Sequence, residues 1–320
     1  GGSNTGIGFE VLYANESGEN NTGCGHNALH VTNGGDGNTG IGSQSLYSNT
    51  IGDQNTAAGA WALVFNVSGS RNVAAGDYAL HYNEGGNDNI GVGVSTLKAN
   101  INGARNTAVG KDAGNYSDYN YACTYIGYNA HPVNDSLENA SALGYNATCN
   151  NDNQIRIGNS SVSSIGGYAN WSNISDGRYK TDIQENVAGL DFIMKLRPVT
   201  YILDIRKLAA ELGGDRAPEA LDEVSARISS EADMKNCDET TAITYTGFIA
   251  QEVEEAAGSV GYDFSGVDRS GVEHGGPYGL RYAEFVVPLV KAMQEQQKII
   301  QDQQRQIDEL VGRVEELEGK

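Results

Sequence analysis

Six residues just past the middle of the chain, Ser175-Asp176-Gly177-Arg178-Tyr179-Lys180, hold the types that could break a peptide bond. A hydroxyl becomes a nucleophile when a neighbouring group takes its proton, and a lysine can do so once desolvation lets it lose its own. Ser175 and Lys180 are a candidate pair of this kind. On types and spacing alone the plainer reading is a Ser/Asp/Gly turn followed by solvated basic residues. The elements around the stretch must decide between the two.

The chain has 320 residues, 42 of them glycine, with 39% apolar residues and a formal net charge of −20. That apolar share argues against a disordered glycine-rich linker, and the length allows one to three domains. Residues 1–170 hold only five Lys or Arg, so no clustered basic surface is available for nucleic acid or an anionic membrane. The four cysteines, Cys24, Cys123, Cys149 and Cys237, lack zinc-site or disulfide-scaffold spacing and read as small buried hydrophobes. No metal or cofactor is expected. No apolar run reaches membrane-spanning length, so membrane insertion is not expected. The sequence opens on Gly1-Gly2-Ser3 inside a repeat without a signal peptide, and its first residue is expected to be a boundary within a longer protein.

Asparagine recurs at Asn4, Asn21, Asn38, Asn55, Asn72, Asn89 and Asn106, a period of 17 residues without insertion. Glycine follows four residues later, from Gly8 to Gly110, and stays in phase at Gly127 and Gly144, so nine coils are counted. An apolar residue precedes each of those glycines (Ile7, Cys24, Ile41, Ala58, Ala75, Val92, Val109, Ile126 and Leu143). Leucine follows at Leu12, Leu29, Leu46, Leu63, Leu80 and Leu97, and a second glycine recurs at Gly18, Gly35, Gly52, Gly69, Gly86 and Gly103. Each coil thus has two apolar pegs and two sharp turns. Seventeen residues are too few for a helix pair and too regular for independent hairpins, which points to a β-solenoid or β-roll over 1–158. Stacked asparagines would hydrogen-bond along it, and the glycines would take conformations closed to other residues. Its variable positions, such as Tyr47, Trp61, His81 and Tyr82, could form a receptor-binding surface, or the whole could be a stalk.

These Asn-Thr-x-x-Gly units resemble the head repeats of trimeric bacterial adhesins and of phage-type tail fibres. The resemblance implies a left-handed parallel roll associated as trimers, although 17 residues exceed the usual adhesin repeat.

After Gly158 the period stops. Gln154 to Gly158 reads as a last strand, and 159–174 as a neck. Leu190, Ile193, Met194 and Leu196 recur at helical spacing before Pro198; strands are expected at Val199–Leu203 and Ile243–Ile249, and a helix from Ala250 to Ala256. Residues 205–238 are helical in pattern with a break at Gly213-Gly214. This half is α+β. Ser175-Asp176-x-Arg178-x-Lys180, Gly189-Leu190, Leu196-x-Pro198-Val199-x-Tyr201 and Gly247-Phe248-Ile249-Ala250-Gln251-Glu252-Val253 together resemble the intramolecular chaperone of phage tailspikes and tail fibres, the peptidase S74 family. The resemblance implies a chaperone domain at 175–281 that trimerises, guides the upstream fibre and cuts itself off at Ile174–Ser175. Ser175 is then the nucleophile and Lys180 its base. The oxyanion stabiliser stays open, from Gly247–Glu252 or a neighbouring chain.

Over 282–320 a heptad seam runs through Val286, Met293, Ile300, Ile307 and Val314 at a, with Tyr282, Leu289, Gln296, Gln303, Leu310 and Leu317 at d. The seam implies self-association, and its number rests on the resemblance. An amphipathic helix packed on its own domain is the plainer alternative. The expected whole is a trimeric virion or cell-surface fibre; the alternatives are an extracellular adhesin with a clamp that does not cut, and a glycan-acting fibre enzyme, for which no carboxylate pair stands out.

Overall fold

The computed structural model describes residues 2–116, 118–162, 164–168, 171–204, 207–208, 243–269, 272 and 277–319. Two compact units are found, one built on Gly1–Ser163 and the other on Ser164–Leu203 and Thr241–Lys320.

The first unit is a β-solenoid of about nine turns. Three-residue strands recur every 17 positions from Thr5–Ile7 to Ser141–Leu143, and Ile155–Ile157 adds a tenth. All ten form one parallel sheet in which Thr5 pairs with Thr22 and Thr22 with Thr39, so the register is the repeat itself. The last step is shorter, because Ser141 pairs with Ile155. Side chains alternate across a strand, and the middle residue points inward: Gly23, Gly40, Ala57, Ala74, Gly91, Ala108, Tyr125 and Ala142 are buried.

The apolar residue before each glycine therefore faces outward, so only one of the two expected apolar pegs enters the interior. Ile7 is 64% exposed, Ile41 50% and Ile126 44%. The reason is the strand period of two: once a small residue occupies the narrow interior, its neighbours must point away. Cys24, on this outer row, is only half-buried, whereas Cys123 and Cys149 are buried as expected and all three are free thiols. Cys237 lies outside the described residues.

The inward peg is the leucine ladder. Leu29, Leu46, Leu63, Leu80 and Leu97 are at most 1% exposed. All have left-handed backbone, with φ between 47° and 52°. That conformation costs a residue about 1–2 kcal/mol, and burying the side chain returns about 1.5–3 kcal/mol. The turn also aims each amide at the next coil, as in Leu29 N–H to the Ser45 carbonyl (2.9 Å) and Leu46 N–H to Ala62 (3.0 Å).

The asparagines stack as expected: Asn38 N–H donates to Asn21 Oδ1 (2.8 Å), and Asn38 Nδ2 to the Gly52 carbonyl (2.8 Å). A second ladder, Asn49, Asn66, Asn83 and Asn100, runs beside it, with Asn66 Nδ2 donating to Asn49 Oδ1 at 2.6 Å and Asn83 Nδ2 to Asn66 Oδ1 at 2.8 Å. Of the glycine rows, the first has positive φ, 147° at Gly59 and 139° at Gly76. The second row does not. There glycine is required by space, since a Cβ on Gly35 would meet Asn49 Nδ2 at 2.9 Å and the Gly52 carbonyl.

In the second unit, α1 is Leu190–Ile193, shorter than its apolar spacing suggested, and the residue it buries is Phe192 rather than Met194, which is 75% exposed. Val199–Ile202 pairs antiparallel with Thr244–Gly247, and α2 spans Ala250–Ser259. Phe192, Val253, Ala256, Ala257, Phe264 and Phe285 form one core. The helical reading of 205–238 falls almost wholly outside the described residues. The long helix α3, Val286–Glu318, carries Pro288 in its first turn, where no amide is lost. Its seam lies open within the chain, with Met293 70%, Ile300 49%, Ile307 51% and Leu317 73% exposed.

Candidate functional site

The stretch from Ser175 to Lys180 is folded by a 3-10 turn, Gly177–Tyr179. Tyr179 N–H donates to the Asp176 carbonyl (3.1 Å) and Lys180 N–H to Gly177 (3.2 Å). Glycine after Asp176 leaves the turn uncrowded, and the Asp176 side chain caps it by accepting from Arg178 N–H at 2.9 Å. One tight turn brings residues five apart to the same side. Lys180 Nζ donates to Ser175 Oγ at 2.9 Å. Both side chains are exposed, and the preceding Ile174 is 90% exposed.

In this arrangement the lysine is the donor. To accept the serine proton it must first lose one, so the base role requires a neutral lysine. The serine that would attack is bonded directly to the carbonyl it would attack, so the chain itself supplies proximity. Arg178 clasps Asp176 with Nη2 to Oδ2 at 2.6 Å and Nε to Oδ2 at 2.9 Å. The guanidinium holds the Asp176 carboxyl below the usual carboxylate range, and the carboxylate raises Arg178 in turn. The sequence named both residues in a motif without giving either a partner.

The Gly247–Glu252 segment has its own partners. Phe248 N–H donates to the Tyr282 hydroxyl (3.1 Å), and Glu252 Oε2 accepts from Arg197 Nε (3.0 Å), which holds the glutamate below its ordinary range. Among the described residues no hydrogen bond joins this segment to Ser175 or Lys180. Nor do the described residues contain a metal-type cluster of His, Cys, Asp and Glu.

A solenoid of 17-residue coils is followed in the chain by a small α/β region and a long helix. Residues 175–262 match the family model described as peptidase S74, chaperone of endosialidase, and the match begins on Ser175 itself. That part of the chain is thus similar to the S74 intramolecular chaperones. No match to a curated protein was found. No helix among the described residues is long and apolar enough to cross a membrane.

Proposed function

We propose that the chain is a homotrimeric fibre of a virion or cell surface whose C-terminal part drives assembly and then cuts the Ile174–Ser175 bond. The 2.9 Å contact between Lys180 Nζ and Ser175 Oγ, at the first residue of the S74 match, carries this reading. Neutral Lys180 takes the Ser175 hydroxyl proton as Oγ attacks the Ile174 carbonyl carbon. The C–N bond then breaks, the amine of Ser175 receives the proton from Lys180, and the acyl group rests as an ester on Oγ. Water hydrolyses that ester to a carboxylate on Ile174. The pair is exposed in one chain, so the reading assigns to assembly the exclusion of water from it.

Two unpartnered apolar faces support self-association. Parallel sheets are normally covered on both faces, yet the outer face of the solenoid sheet displays the row from Ile7 to Ile157. The second face is the open seam of α3. Three copies meeting on these faces would bring the Cys24 thiols together, so mild oxidation should yield a disulfide-linked pair of chains that Cys24→Ser abolishes. Retention of full monomer after oxidation would count against this seam.

The decisive measurement for cleavage is intact mass after assembly, with and without Ser175→Ala. A new fragment starting at Ser175 in the unaltered chain alone supports the reading. An unaltered trimer that stays whole leaves a non-cutting clamp. The solenoid also carries exposed rings, Phe65, Tyr78 and Tyr82, packed round Trp61 and His81. We assign this patch to a glycan or protein receptor; Trp61→Ala with Tyr82→Ala should abolish attachment to cells while leaving the trimer mass unchanged.

A further inference from the structure

Between Ser175 and Lys180 stand two charged residues that the cleavage chemistry does not use. Asp176 is the only acid in the turn. A free carboxylate beside an ammonium attracts it and competes for its position. Yet Lys180 Nζ bonds Ser175 Oγ, and the described residues show no ion pair to Lys180 from any other element. Asp182 accepts from Gln184 Nε2 at 3.0 Å, and Glu185 lies beyond it along the chain.

Arg178 accounts for the difference. Its Nε reaches Oδ1 at 3.2 Å and Oδ2 at 2.9 Å, its Nη2 reaches Oδ2 at 2.6 Å, and its backbone N–H takes Oδ1 at 2.9 Å. Both carboxylate oxygens are occupied. We propose that Arg178 is a positioning residue that engages Asp176 and so keeps Lys180 on the serine hydroxyl. The inference rests on the Ser175–Lys180 reading given above. Arginine suits the task for two reasons: its planar fork matches both oxygens, and it stays charged over the whole range in which a lysine titrates. A lysine at 178 would deliver a single point charge and would itself titrate.

The test uses the charge of Asp176 as the variable. Asparagine caps a turn as well as aspartate does, so Asp176→Asn removes the competing charge and keeps the cap. In the full-length chain, the first-order rate of fragment release is followed from pH 6 to 10. Arg178→Ala should slow release about tenfold at neutral pH and move the rising limb up by about one pH unit, because a lysine paired with a carboxylate stays protonated longer. Adding Asp176→Asn to Arg178→Ala should restore the original limb. A merely structural arginine would lower the rate without moving the limb, and Asp176→Asn would not rescue it. Arg178→Gln, which keeps bulk and a donor, replaces Arg178→Ala if that chain fails to fold.

A second readout does not need cleavage. In the Ser175→Ala chain, acetylation of Lys180 by acetic anhydride is measured by mass spectrometry against pH, with and without Arg178. The same upward displacement supports the inference; identical Lys180 profiles overturn it. If the unaltered chain does not cut, the cleavage reading fails by itself, and labelling alone decides the role of Arg178.

Discussion

At the scale of single residues, the pair Ser175 and Lys180 could be read from spacing because one 3-10 turn is enough to join them. The Asp176–Arg178 clasp could not, since either residue could equally have faced solvent. Two substitutions separate nucleophile from base. Ser175→Ala removes the attacking hydroxyl, and Lys180→Arg leaves a group that stays protonated. Both chains should remain whole on a denaturing gel while the unaltered chain gives a fragment ending at Ile174; release of that fragment from either variant would refute the assigned roles. A third prediction concerns His81, whose Nδ1 lies 3.2 Å from the Trp61 carbonyl among four aromatic rings. Burial lowers its pKa from the ordinary 6.5, so the folded ring stays neutral while the unfolded ring takes a proton. Its stabilising effect is complete above pH 6.5 and is lost as pH falls below it. Melting temperature should drop between pH 7 and 5, and drop less in His81→Phe.

At the scale of the coil, the period was fully legible and its facing was not. Composition shows that Ile7 and Ile41 are apolar, but only the strand register reveals that they point outward. Left-handed leucines were likewise hidden, because residue type argues against that backbone. The positive φ of Gly59 was foreseen, and a Cβ there would also meet the Gly76 carbonyl. Gly59→Val should therefore lower solenoid stability by about 1–3 kcal/mol from strain alone, read by denaturant unfolding; an unchanged midpoint would contradict the account. The last three coils depart from the rule, with Gly114, His131 and Thr148 at the leucine position. Where the leucine row would continue, Gly114 stands instead, and Tyr125 fills the space from the strand side, its hydroxyl accepting from Asn120 Nδ2 at 2.6 Å. A Cβ on Gly114 would lie 2.8 Å from Tyr125 Cδ2. Tyr125→Ala should cost about 3–5 kcal/mol through the cavity it leaves, and Gly114→Leu should clash. Together they recreate the Leu and Ala pair of earlier coils, so the double variant should melt above either single one.

At the scale of the whole chain, the proposed assembly would draw on apolar surface that a lone copy leaves in water. The first turns of α3 pack on their own domain, where Ala292 is buried and Glu295 Oε2 accepts from Leu190 N–H (2.8 Å), while the seam is open from Met293 to Leu317. Heptad spacing announced this, whereas the outer sheet face went unread because each coil contributes so few residues to it. Deleting residues 289–320 should leave the chain poorly soluble, and a soluble, well-folded monomer by sedimentation would argue against an assembly role for the helix. The strict 17-residue register has a consequence of another kind. Because the first six coils offer their neighbours the same asparagine, glycine and leucine contacts, adding or removing one of them leaves each remaining joint unchanged. Solenoid length is then a whole number of coils, and the gain or loss of one changes reach by about 4.8 Å with no new interface to evolve.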